Sequence, residues 1–176
     1  IWGMYDDEIN NSRDCEIASN SFTNEHSSIL IHIGHKPQLF VNINIHDNTL
    51  DVGYTSLDKI IACDTYSSFE GLSIANNMLT NNHAESYGIN LFISGEDGDE
   101  NVAGMLICGN KIKGDARVGI YVGSNSTYDG TELPDFRGIV ITDNYIEIDG
   151  DDASNSIYGI QVNRCADVKV LSNYIQ

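Results

Sequence analysis

Two stretches of this chain concentrate side chains that could work as acids, bases or nucleophiles. Ser94–Asn101 reads SGEDGDEN, and Gly123–Phe136 reads GSNSTYDGTELPDF. The first carries Glu96, Asp97, Asp99 and Glu100, and the second carries Asp129, Glu132 and Asp135. Glycoside hydrolysis needs two carboxyl groups flanking one bond, ~5 to 9.5 Å apart, one as acid and one as base or nucleophile. Loops from neighbouring turns of a repeated fold could bring such a pair together. Glu96, Asp99, Asp129, Glu132 and Asp135 are therefore the candidate catalytic residues. A lyase would need a base and a charge neutraliser instead, which Arg117, Arg137 or a bound cation could supply. Spacing selects no pair, and acidic loops on an acidic chain are as a rule simply solvated.

Metal chemistry has thinner support. Asp97-Gly-Asp99 and Asp149-Gly-Asp151-Asp152 offer the oxygen ligands that calcium takes. Neither matches an EF-hand loop or the glycine-rich calcium nonapeptide, and Asp-Gly also serves simply to make turns. No metal or other cofactor is expected, and calcium is the one cation the composition admits. Cys15, Cys63, Cys108 and Cys165 contain no C-x-x-C pair, so spacing gives zinc no basis. His26, His32, His35, His46 and His83 form no spaced ligand set.

Composition narrows the partners. A net charge of −17 excludes a row of nucleic-acid phosphates and docking on an anionic membrane. No run approaches the ~18 apolar residues of a membrane span, so no membrane insertion is expected. With 176 residues, 41% of them hydrophobic, the chain reads as one folded domain, 1–176.

The elements that must position these residues announce themselves by repetition. An asparagine followed two residues later by a large apolar residue occurs at Asn20, Asn48, Asn77, Asn110, Asn144 and Asn173, at intervals of 28, 29, 33, 34 and 29 residues. A period of this length marks a solenoid. Apolar residues recur five and three positions before each asparagine, as in Ile43/Ile45, Leu72/Ile74 and Ile139/Ile141. That is the period-two pattern of a strand with one buried face. A further strand follows most asparagines, in Ile29–Ile33, Ile60–Cys63, Gly88–Phe92, Gly119–Val122 and Gly159–Val162. Leucine-rich repeats would need denser leucine at a shorter period, and propeller blades a longer one.

This pattern resembles the right-handed parallel β-helix of the pectate-lyase-like superfamily, over essentially the whole chain. The expectation is an all-β, single-stranded parallel β-helix of about five coils of 28–34 residues, with three short strands per coil. The resemblance implies an asparagine ladder in the tight corner between the second and third strands. Asn20, Asn48, Asn77, Asn110, Asn144 and Asn173 fit it, since asparagine tolerates a left-handed turn and its amide can bond the coils above and below. Neither end carries a polar cap, which leads us to expect a segment of a longer β-helix.

Alternation then places His32, Asn90, Tyr121 and Gln161, with Ala62, in one outward row on the strand after the ladder, and Gly88, Gly119 and Gly159 two residues earlier. Amides and an aromatic ring with space beside them suit a sugar polymer, so these four are the candidate substrate-binding residues. In β-helix enzymes this face forms a polysaccharide cleft. The resemblance therefore implies binding and depolymerisation of an extracellular or cell-surface polysaccharide. Polygalacturonase and alginate-epimerase signatures are missing. Bacteriophage tailspikes share such coils without recurrent motifs, which implies a homotrimer at a virion surface. The competing expectation is a non-catalytic adhesin or fibre segment.

Overall fold

A computed structural model describes residues 12–24, 29–34, 38–52, 59–64, 67–93, 101–124, 135–149 and 156–176. These residues contain strands and no helix, and every strand pairing is parallel. The chain forms a β-solenoid of four stacked sheets. The first sheet holds Ser12–Arg13, Gln38–Val41, Ser67–Glu70, Asn101–Ala103 and Asp135–Arg137. The second holds Glu16–Ala18, Asn44–His46, Ser73–Ala75, Leu106–Cys108, Ile139–Thr142 and Val168–Leu171. The third holds Ser21–Asn24, Thr49–Val52, Met78–Asn82, Lys111–Asp115, Tyr145–Asp149 and Tyr174–Ile175. The fourth holds Ile29–Gly34, Lys59–Asp64, Tyr87–Ile93, Val118–Ser124 and Tyr158–Asn163. Four full turns of chain separate the first and last strands of each five-stranded sheet, against the expected count of about five coils.

Each coil carries four strands where the apolar pattern predicts three. The extra corner lies six residues before each ladder asparagine, at Asp14, Asn42, Gly71, Gly104, Gly138 and Asp167, all with φ between 52° and 71°. A second set of positive φ values falls directly before each asparagine, at Ser19, Asp47, Asn76, Gly109, Asp143 and Ser172. The left-handed turn expected of the ladder residues thus sits one residue earlier. Only Gly, Asn, Asp and Ser occupy these twelve positions: glycine has no Cβ to crowd the following carbonyl, and a short polar side chain offsets that cost by local hydrogen bonding. Each pair of turns isolates a three- or four-residue strand in the second sheet, a break that hydrophobic spacing does not register.

The ladder itself is complete. Asn110 donates its backbone N–H to Asn144 Oδ1 at 3.0 Å and its Nδ2 to the same oxygen at 3.0 Å and to Ile74 O at 2.9 Å. Its own Oδ1 accepts the N–H and Nδ2 of Asn77, each at 3.0 Å. The pattern runs from Asn20 to Asn173. In-register apolar columns fill the interior: Ile17–Ile45–Ile74–Ile107–Ile141 from the second sheet, and Leu50–Leu79–Ile112–Ile146 from the third. Phe40 and Phe69 stack at 5.2 Å in the first-sheet column. Ile45, Ile74 and Ile107 are fully buried, each contributing ~1.5–3 kcal/mol of burial free energy.

Candidate functional site

The row expected from alternation exists in unbroken register. His32 pairs with Ala62, Ala62 with Asn90, Asn90 with Tyr121 and Tyr121 with Gln161, one residue from each strand of the fourth sheet. Parallel stacking fixes this register because the inward columns on either side, Ile31 through Ile120 and Ile33 through Val122, must remain in the core.

The glycines near the row have a different role from the one expected. A Cβ on Gly88 would meet the Gly119 carbonyl oxygen at 2.6 Å and Ile112 Cγ2 at 2.8 Å. One on Gly119 would meet the Gly159 oxygen and Ile146 Cγ2, each at 2.7 Å. These residues therefore face the core, against the third-sheet isoleucines, and leave no room on the outer face. Gly88 and Ile89 are successive residues that both face the interior, so the inside–outside alternation is interrupted there. Beyond the interruption it resumes, which keeps Asn90 and Tyr121 in the outward row.

An aromatic cluster covers the centre of the row. The Tyr87 ring packs edge-on against Tyr121 with centroids 6.0 Å apart, and Phe92 lies 6.3 Å from Tyr121 on the other side. The Tyr121 hydroxyl passes over Gly123, where a Cβ would come within 2.8 Å of it. Tyr121, His32 and Gln161 are half-buried, whereas Ala62 is 0% and Asn90 4% exposed. Asn90 Oδ1 has no hydrogen-bond partner. Sequence reasoning missed Tyr87 and Phe92. Their signal was available: both flank the same Gly-Ile-Asn-Leu segment that supplied Asn90.

The carboxylates expected to act over this face are placed as follows. Glu96, Asp99, Asp129 and Glu132 lie outside the described residues, as do Asp97, Asp151 and Asp152 of the calcium-type tracts. Asp135 opens the last strand of the first sheet, paired with Asn101. Asp149, at the end of a third-sheet strand, is exposed. Among the described residues no group of three or more His, Cys, Asp or Glu side chains is arranged to hold a metal ion. All four cysteines are free thiols; burial pushes Cys165 up to about 11 and, with help from Asp143, also raises Cys108.

A second polar and aromatic group lies on the outer face of the third sheet. Tyr145 and Tyr174 stack with centroids 5.0 Å apart, and the ammonium groups of Lys111 and Lys113 sit 5.7 and 5.5 Å from the Tyr145 centroid. Lys113 forms an ion pair with Glu147, which also accepts the Tyr145 hydroxyl at 3.1 Å. That hydrogen-bonded contact with Lys113, and then the one with Tyr145, holds the Glu147 carboxyl below its usual range. The repeated Asn-Tyr-Ile at 144–146 and 173–175 is what puts the two rings in one row.

No family model matches the chain, and no curated protein or solved structure matches it.

Proposed function

We propose that this solenoid binds an extracellular or cell-surface polysaccharide along the outer face of its fourth sheet and depolymerises it with carboxylates of the adjoining loops. The observation that carries the reading is the in-register row His32–Ala62–Asn90–Tyr121–Gln161 with Tyr87 and Phe92 beside it. Side-chain amides and aromatic rings, spaced one coil apart on a rigid sheet, match the alternating hydroxyl and C–H surfaces of a sugar chain. The coil spacing of ~4.8 Å also approaches the length of one sugar unit, so successive coils can meet successive units. Within this reading Glu96, Asp99, Asp129, Glu132 and Asp135 supply the acid and the base or nucleophile, and calcium is an optional structural ion. Tailspike-like coils bring with them a homotrimer at a virion surface, and we include that assembly in the proposal.

One observation favours a second reading, a non-catalytic adhesin or fibre segment. Ala62 and Asn90, at the middle of the row, are buried, which leaves a shorter open surface than a long polymer would use. An assay of new reducing ends and of absorbance at ~235 nm, against a panel of bacterial and plant polysaccharides, separates the readings. Cleavage with an absorbance rise identifies a lyase, and cleavage without one a hydrolase. Binding on a glycan array without cleavage supports the adhesin. Neither binding nor cleavage removes the polysaccharide reading.

A further inference from the structure

We propose that His46 is a proton-dependent latch that ties the first coil of the solenoid to the second. His46 ends the second-sheet strand Asn44–His46 and points outward, half-buried. Its Nδ1 lies 2.7 Å from Asp47 Oδ2, in the corner that follows, and its Nε2 lies 2.7 Å from Glu16 Oε1, one coil earlier. Both ring nitrogens therefore face carboxylate oxygens. Each contact is a hydrogen bond only if that nitrogen carries a proton, and a neutral imidazole carries one proton for the two positions. Only the imidazolium satisfies both at once. On the neutral ring, one lone pair would face a carboxylate at hydrogen-bond distance.

The groups around the ring leave this balance to the two carboxylates. Glu16 comes from the strand on one side and Asp47 from the ring's own corner; Ser73–Ala75, the strand on the other side, brings no titratable side chain. The hydrogen bond with Asp47, followed by that with Glu16, raises the His46 pKa above 6.5. A raised folded-state value means that the tie is fully present below 6.5 and is lost as pH rises through the folded pKa.

The first coil is where such a tie can matter. Phe22, at the end of the third-sheet inward column, is 42% exposed, and Ile17 is only half-buried, while their counterparts Leu50 and Ile45 are at 0%. Apolar packing in the second and third sheets of this coil is thus thinner than in the central coils, while Ile31 and Ile33 of its fourth-sheet strand are buried. Among the described residues the coil is also held by strand pairing in all four sheets, the Asn20–Asn48 bonds, the Asn48 Nδ2 bond to Ile17 O and the Asn42 to Asp14 contact of 2.9 Å. Loss of the proton thus loosens the contact between the first two coils at rising pH without unmaking it.

The test combines nitrogen NMR of the histidine rings with native-state hydrogen exchange on the full chain, between about pH 5 and 9. We expect His46 to titrate above 6.5, with both nitrogens protonated at the low-pH limit. After correction for intrinsic exchange, protection of the 16–24 amides should fall about two- to five-fold above that pKa, as befits an exposed ion pair. Glu16→Gln should abolish that fall, and so should His46→Gln, which keeps an amide donor but has no proton to lose. Titration at or below 6.5, or the same pH-dependent loss of protection in His46→Gln, overturns the proposal.

Discussion

Two groups of buried asparagines in this molecule share residue type and burial but differ in almost everything else. Asn48, Asn77, Asn110 and Asn144 of the ladder, and Asn81 and Asn90 outside it, are all at most 4% exposed. Each of these four ladder amides is bonded to an asparagine above and below. Asn81 has no partner for either polar atom, and Asn90 has none for Oδ1. The difference comes from what stacks on each. A ladder asparagine meets another asparagine one coil away, so donor faces acceptor. Asn81 meets Val52 and Gly114, and Asn90 meets Ala62 and Tyr121. Periodicity of residue type therefore decides whether a buried amide stabilises the solenoid or weakens it. The two orphaned sites lie in or beside the coil that supplies Asn90 to the proposed binding face.

Substitutions can break this comparison at several points. Asn110→Ala should have the largest effect, about 3 kcal/mol or more of lost stability in denaturant unfolding. It strands the Asn77 N–H in the core, takes one donor from the Ile74 carbonyl, and leaves the Asn77 amide only its bond to Ile45 O. Gly119→Ala should follow, at about 1–3 kcal/mol, because its Cβ would meet a backbone oxygen and Ile146 at 2.7 Å. Asn81→Val goes in the opposite direction. Removing two unpaired polar atoms in favour of a residue matching Val52 should raise stability by about 1 kcal/mol. A loss on Asn81→Val would mean that the orphaned amide is satisfied after all, and the contrast with the ladder would fall. Lys113→Gln should leave the melting temperature unchanged within error, since its ion pair with Glu147 stands on an open face.

The ladder positions, the register of the fourth-sheet row and the all-β solenoid were legible in the sequence because each depends on a period that stacking preserves. The fourth strand of each coil was legible in principle. Asp14, Asn42, Gly71, Gly104, Gly138 and Asp167 keep a constant distance of six residues from the ladder, and all are types that accept positive φ. That signal lies in turn chemistry and not in hydrophobicity, so reading apolar spacing passed over it. The direction of Gly88 and Gly119 was not legible. Strict alternation sends them outward, and only the close approach of Ile112 and Ile146 to their Cβ positions reveals that they face the core.

What the sequence determined by itself was the stacking: identical residue types at fixed offsets must meet when coils pile in register, and the backbone hydrogen bonds between coils enforce that register. Tertiary structure alone decided how closed the outward row is, which rings cover Asn90, and that His46 stands between Glu16 and Asp47. Those outcomes depend on side-chain directions and on residues about 30 positions apart in the chain, and no local pattern encodes a distance across coils.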